Sequence, residues 1–105
     1  MNRRLWPSPP RAQEVQCLMQ SFLKQELLDR LAEIEASIAT GASNISRQRE
    51  HVAELERNGM DASLSKSVMT SFEDAQAIRH EELARLVGEL EAAVAALTGL
   101  AGPRD

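Results

Sequence analysis

Two apolar stripes, one in each half of the chain, constrain its fold more than any other feature. From Met19 to Leu55 apolar residues recur about every 3.6 positions, which is the period of an α-helix. A second stripe runs from Leu64 to Ala101 and is apolar at every position except Arg79. Reversing the chain at Asn58–Asp61 brings the two stripes face to face, layer by layer. The sequence therefore predicts a long antiparallel two-helix hairpin that resembles a coiled coil.

Composition supports an all-α fold. The chain is rich in Ala, Leu, Glu, Arg and Gln, which are good helix formers, and its aromatic content is only 3%. No stretch shows the alternation of apolar and polar residues that is typical of a strand. We expect a flexible Pro- and Arg-containing arm at 1–10, a hairpin at 11–101 and a tail at 102–105. Within the hairpin, helix 1 is predicted at about 11–58, the turn at 59–61 and helix 2 at about 62–98.

The turn contains the residues that such a reversal needs. Gly59 suits the left-handed conformation that often follows a helix end. Asp61 is placed to cap helix 2 by accepting a hydrogen bond from the N–H of Ser63 or Leu64. The stripe of helix 2 advances mostly by steps of four, four and three, which predicts little left-handed supercoil.

A helix break near Gly41 is the alternative, because Thr40–Asn44 is locally typical of a turn. Such a break would give a three-helix bundle. A glycine within a helix costs about 1 kcal/mol relative to alanine. A break at Gly41 would lose the five matched apolar layers between Gly41 and the turn, and each fully buried Leu or Ile contributes roughly 1.5–3 kcal/mol to stability. These magnitudes favour one continuous helix, in which Gly41 faces Arg79 and leaves room for its long side chain.

The charge distribution disfavours nucleic acid or a membrane surface as the main partner. The net charge is −4, while residues 1–11 carry three arginines and no acid, so the remainder is strongly acidic. Binding to phosphate-rich partners needs a concentrated basic face. A nucleic-acid or phosphate-binding accessory protein is the alternative function, using Arg3, Arg4, Arg11, Arg47 and Arg49. Four charge pairs are predicted to flank the stripes: Glu54/Lys66, Arg47/Glu73, Glu35/Arg85 and Arg30/Glu91.

No residue pattern predicts catalysis, a metal or a cofactor. Carboxylate-bridged metal bundles use Glu-x-x-His motifs, but neither His51 nor His80 has a Glu three residues before it. No serine pairs with a histidine in an arrangement that would activate it. Cys17 is the single cysteine, which fits a reduced, cytoplasmic compartment, and no stretch approaches the length of a transmembrane helix. We therefore expect a non-enzymatic cytoplasmic protein.

Apolar residues outside the stripes concentrate at the open end of the hairpin, away from the turn. A two-helix ribbon has no second layer to cover them, and exposed apolar patches usually mark interfaces. The sequence thus predicts a homodimeric four-helix bundle over residues 15–32 and 83–100, or packing against another helical protein. Leu5 and Trp6 of the arm could cover the patch instead. The candidate self-association residues are Leu18, Phe22, Leu28, Val87 and Leu100, with Ala93 beside them.

Residues 45–61 read I-S-R-Q-R-E-H-V-A-E-L-E-R-N-G-M-D, and residues 72–80 read F-E-D-A-Q-A-I-R-H. These segments resemble a family of small uncharacterised bacterial helical proteins with an I-x-R-Q-R-x-x-V-A-E-L-E-R-x-G-x-D core. The resemblance covers about half the chain and implies a short bacterial cytoplasmic helical protein, with no activity or cofactor attached. It implies a polar partner surface formed by Arg47, Arg49, Gln76 and His80. Together these features predict a self-associating interaction or regulatory module.

Overall fold

The computed structural model describes residues 11–101, with side chains as far as residue 99. Helix α1 spans Ala12–Arg57 and helix α2 spans Ser63–Ala101, and the two pack against each other along the hairpin. At 1.5 Å per residue, α1 is about 69 Å long. The predicted all-α antiparallel hairpin is confirmed. Helix α1 is continuous through Gly41, so the three-helix alternative is wrong.

The helix boundaries lie close to the predicted ones. Helix α2 continues past Gly99 to Ala101, three residues beyond the predicted end, because a single glycine lowers helix stability without interrupting the hydrogen-bond ladder. The predicted arm at 1–10 and tail at 102–105, including Leu5 and Trp6, lie outside the described residues.

The end of α1 forms a Schellman motif. Gly59 adopts a φ of 68°, and its N–H donates to the carbonyl of Glu56 at 3.1 Å. The N–H of Met60 donates to the carbonyl of Leu55 at 2.9 Å. These are the two backbone hydrogen bonds that define the motif, so the glycine satisfies helix-end carbonyls while it reverses the chain.

Asp61 starts α2 as predicted. Its carboxylate accepts hydrogen bonds from the N–H of Ser63 at 3.0 Å and from the Ser63 hydroxyl at 2.6 Å. Both hydrogen bonds lower the pKa of Asp61, because they stabilise the charged carboxylate. The Ser63 hydroxyl makes the larger contribution and the Ser63 N–H the smaller one. Glycine and aspartate thus fix the reversal from both sides within five residues.

The line of buried and half-buried positions between the helices has a seven-residue repeat. In α1 it comprises positions 17, 20, 24, 27, 31, 34, 38, 41, 45, 48, 52 and 55. It continues at position 62, just before α2, and in α2 at 65, 69, 76, 79, 83, 86, 90, 93 and 97. Apart from one step of seven across Phe72, which is 37% exposed, the steps are of three and four residues and average 3.5, the spacing of a left-handed coiled-coil seam rather than the straight 3.6-residue stripe predicted from the sequence. The tightest core consists of Leu27, Leu86 and Ala93, with Leu31, Ile34 and Leu90 packed around it.

When the seam positions are labelled a and d of a heptad, the e positions form one flank of the hairpin and the g positions form the other. The e flank comprises Ser21, Leu28, Glu35, Ala42, Arg49 and Glu56 of α1 with Lys66, Glu73, His80, Val87 and Val94 of α2. The g flank comprises Gln16, Leu23, Arg30, Ser37, Asn44 and His51 with Val68, Ala75, Glu82, Glu89 and Ala96.

Ion pairs between the helices show that each flank is one continuous side of the molecule. On the e flank Arg49 pairs with Glu73 at 3.2 Å, and Lys66 pairs with Glu56 at 2.9 Å. On the g flank Arg30 pairs with Glu82 at 3.3 Å. The four predicted charge pairs are wrong, because each includes a residue at an outward-facing b or c position. Those residues are Arg47, Glu54, Arg85 and Glu91.

Candidate interaction surfaces and central polar layer

The e flank is mostly apolar in the open half of the hairpin, where Ser21 is its polar member. Leu28 of α1 and Val87 and Val94 of α2 are about two-fifths exposed, at 37%, 38% and 40%. They come from both helices and lie on the same side, next to the seam. Leu28 and Val87 belong to the predicted self-association set, whereas Val94 was assigned to the seam and its place on the surface was missed. Its spacing of seven from Val87 is the signal that could have identified it.

The outer face of α1 carries a second apolar group near its N-terminal end. Leu18, Met19 and Phe22 are 69%, 66% and 68% exposed, and Val15 lies one turn before them. Positions 15, 18 and 22 share the helix face opposite the seam, since they are spaced by three and four residues. Leu18 and Phe22 were predicted to be exposed, whereas Met19 was predicted to lie in the seam.

Two members of the predicted patch, Ala93 and Leu100, are not seen on the described surface. Ala93 is buried, at 4% exposure, and belongs to the core, because its small side chain fits between the helices where the neighbouring Val94 does not. Leu100 lies within α2, but its side chain lies outside the described residues.

Charged pairs occupy other parts of the two flanks, although Leu23 on the g flank of the open half is also exposed, at 43%. In the turn half, the e flank carries the Arg49–Glu73 and Lys66–Glu56 pairs described above. In the open half, the opposite g flank carries a network in which Glu82 contacts Arg30 and Arg85, and Arg85 also contacts Glu89 at 2.7 Å. Hydrogen bonding to Arg85 lowers the pKa of Glu82, and the same contact raises the pKa of Arg85. Along the e flank, the apolar positions of the open half therefore give way to ion pairs in the turn half.

The predicted polar partner surface is not assembled. Arg47 donates to the side-chain oxygen of Asn44, and Arg49 pairs with Glu73 on the e flank. His80 is exposed on the e flank. Gln76 does not belong to a surface at all, because it is a seam residue with only 8% exposure. The four residues that the family resemblance singled out therefore have three different structural settings.

Gln76 is part of a central polar layer that we define as Gly41, Gln76 and Arg79. The Gln76 side-chain amide donates to the backbone carbonyl of Ile38 at 2.8 Å. Its oxygen accepts from Nη1 of Arg79 at 3.0 Å. A Cβ at Gly41 would lie 2.8 Å from the same Nη1 and closer still to the Gln76 oxygen, so the glycine makes the layer possible. The predicted Gly41–Arg79 juxtaposition is present, and Gln76 is a third member that apolar patterning could not identify.

The described residues contain no group of three or more His, Cys, Asp or Glu side chains arranged to hold a metal ion. Neither described helix combines the length and the hydropathy needed to cross a membrane. Comparisons with protein-family models, curated proteins and solved structures give no match to this chain. The family resemblance drawn from residues 45–61 and 72–80 therefore stays a prediction.

Proposed function

We propose that this chain is a non-enzymatic helical interaction module that self-associates through the apolar half of its e flank. The observation that carries the proposal is the presence of exposed Leu28, Val87 and Val94 on one side of the hairpin, contributed by both helices. Helices in a four-helix bundle bury their a and d positions together with e or g. Each hairpin therefore supplies two helices with the apolar pattern of a bundle and lacks the second layer.

A second copy of the chain fits this surface as an occupant. Two hairpins related by a two-fold axis would place the same patch against itself, which is the usual arrangement in homodimers. The overlapping segments, residues 15–32 and 83–100, are about 27 Å long and two helices wide, a flat footprint on the order of 550 Å². Stable interfaces begin near about 600 Å² per partner, so we expect a dimer that depends on concentration.

The charged turn halves would then project in opposite directions and remain available to other molecules. This arrangement supports a regulatory or adaptor role for the dimer. A cytoplasmic location is part of the proposal, because the single Cys17 is compatible with a reducing compartment. The alternative of a nucleic-acid or phosphate-binding accessory protein has less support, since Arg49 is paired with Glu73 and Arg47 contacts Asn44.

The test is solution mass by light scattering coupled to size-exclusion chromatography over a range of concentrations. We expect the wild-type mass to approach twice the 11.6 kDa of one chain. A variant with both Leu28→Glu and Val87→Glu should remain at the mass of one chain, because charges in a buried interface are strongly unfavourable. The matched control is Ile78→Glu, which places the same charge at an apolar α2 residue that is 66% exposed and lies off the e flank.

Circular dichroism at 222 nm checks that all variants keep their helices. The proposal fails if the double variant still dimerises, or if Ile78→Glu dissociates the dimer equally. A wild-type chain that stays monomeric at every concentration would also reject self-association, and would direct the search to a different helical protein for the same patch.

A further inference from the structure

Arg79 is a cation in the seam that has no anionic partner among the described residues. It is half-buried, and its only hydrogen bond among the described residues goes to the Gln76 oxygen at 3.0 Å. No carboxylate of the described chain lies at ion-pairing distance from it. A partly desolvated guanidinium without a counter-charge is unfavourable, and it retains N–H donors that Gln76 does not use.

The surroundings of Arg79 form an open groove on the g-flank side of α1. The lining residues are Ala36, Ser37, Thr40, Gly41, Asn44 and Arg79. None of them is acidic, and three carry uncharged polar side chains. The oxygen of Asn44 already accepts from Arg47, which leaves its NH₂ group to donate elsewhere. The groove therefore combines one positive charge with hydroxyl and amide donors.

Gly41 gives the guanidinium access to this groove. The position that a Cβ would occupy at residue 41 is only 2.8 Å from Nη1, so the arginine head lies directly over the α1 backbone. The Gln76 side chain is fixed by Ile38 and in turn holds Nη1 in place. A guanidinium held in this manner presents its planar donors with little freedom to reorient, which favours recognition of planar or tetrahedral oxyanions.

We propose that this groove is an oxyanion site that binds one carboxylate or phosphate group, with Arg79 as the charge partner and Ser37, Thr40 and Asn44 as neutral donors. The proposal does not rest on self-association, because the groove and the apolar patch lie on opposite flanks. It also differs from a basic surface patch, since a single half-buried arginine carries the charge.

The experiment measures the thermal unfolding midpoint of the full chain while sodium phosphate replaces sodium chloride at constant ionic strength. We expect the midpoint to rise by about 6 °C when phosphate reaches about ten times its Kd. The Arg79→Gln variant should show no such rise, whatever its own midpoint. Arg49→Gln is the matched control, because it removes an exposed arginine already paired with Glu73, and it should keep the full response.

A parallel titration with sodium acetate distinguishes the source of the anion. A larger response to acetate than to phosphate supports a carboxylate-binding site, and a larger response to phosphate supports a phosphate-binding one. A second readout is nuclear magnetic resonance, in which the backbone amides of Thr40 and Gly41 should shift with the anion in the wild-type protein. Thr40→Val should weaken binding severalfold, since it removes one donor and preserves shape.

Three results would overturn the site: no midpoint change beyond that in chloride, an undiminished response in Arg79→Gln, or shifts distributed over the whole surface rather than around the groove. The Leu28→Glu, Val87→Glu variant should respond to the anion as the wild type does. That result separates failure of the oxyanion site from failure of the proposed dimer.

Discussion

Gly41→Ala is the substitution whose effect follows most directly from the packing of the central polar layer. In an exposed helix, alanine is more stable than glycine by about 1 kcal/mol. At position 41, however, the new Cβ would lie 2.8 Å from Nη1 of Arg79 and 3.0 Å from Cδ of Gln76. Real Cβ atoms do not approach other atoms this closely, so the Gln76 and Arg79 side chains must move.

The energetic cost of moving these side chains decides whether Gly41→Ala raises or lowers the free energy of unfolding. Displacing Gln76 breaks its hydrogen bonds to Ile38 and Arg79, and a buried polar group left unsatisfied costs about 1–3 kcal/mol. Inserting a methyl group into a filled layer adds strain of about 1–3 kcal/mol when neighbours cannot relax fully. The atoms that the new Cβ would meet are the far ends of two flexible side chains, so most of the strain can relax, but the hydrogen bonds of the buried Gln76 are still lost. We expect this loss to exceed the helix gain and to destabilise the chain by about 1 kcal/mol.

Urea unfolding followed by circular dichroism, at one fixed protein concentration, measures this difference. Gly88→Ala is the matched control: it is the same change inside α2, where no described residue outside the local helix backbone and the two chain neighbours lies within 4 Å of the new Cβ. It should stabilise the chain by about 1 kcal/mol. In a Gln76→Ala background the main obstruction is gone, so Gly41→Ala should become neutral or stabilising, with a coupling energy on the order of 2 kcal/mol.

A Gly41→Ala protein as stable as Gly88→Ala would refute the close-packed layer. Coupling near zero in the double-mutant cycle would show that Gln76 is not the residue that meets the new methyl group. Both outcomes can be measured, because the variants should still fold: the expected change in the free energy of unfolding is well below the stability of a typical domain.

Two further predictions concern the turn. Gly59→Ala should destabilise the hairpin by about 1 kcal/mol, because a φ of 68° is unfavourable for a residue with a Cβ. The described residues leave open space around the new Cβ, so no steric clash adds to this cost. An unchanged urea midpoint would contradict the prediction. Asp61→Ala should lower the thermal midpoint at neutral pH. Since folding lowers the pKa of Asp61, the carboxylate stabilises the fold above its ordinary pKa, and this contribution disappears as pH falls through the lowered value. The wild-type and variant midpoints should therefore converge in acid, and a constant difference at every pH would contradict the charged cap.

The sequence predicts the hairpin and its turn well because the determinants are local. Gly59 and Asp61 act through backbone geometry and hydrogen bonds that span only a few residues. The continuity of α1 through Gly41 follows from comparing a small helix penalty with a larger packing gain. In each case the competing energies can be estimated from residue types alone.

The seam of the open end could not be predicted in the same way. Apolar patterning selects Met19 and Leu23, whereas the structure places Gln20 and Lys24 on the inner side of α1. Both sets satisfy the helical period, so the choice depends on the partner helix and on the heptad phase. The same limitation applies to the candidate sites, since a polar residue such as Gln76 is assigned to the surface unless its interhelical partners are known.

The resulting seam explains why the open end leaves large apolar side chains outside. Small or polar residues occupy the seam there, with Cys17 and Gln20 in α1 and Ala93 in α2, while Leu18 and Phe22 remain more than two-thirds exposed. A fully buried leucine or phenylalanine contributes roughly 1.5–3 kcal/mol, so the isolated hairpin leaves much of this stabilisation unused at that end. In the proposed dimer the second layer would cover Leu28, Val87 and Val94 of the e flank, whereas Phe22 lies on the face of α1 opposite the seam. Ordering of the open end and assembly would then be one coupled event, and the stability of the open half would depend on protein concentration, whereas the Schellman turn and the central polar layer would stay folded in the monomer.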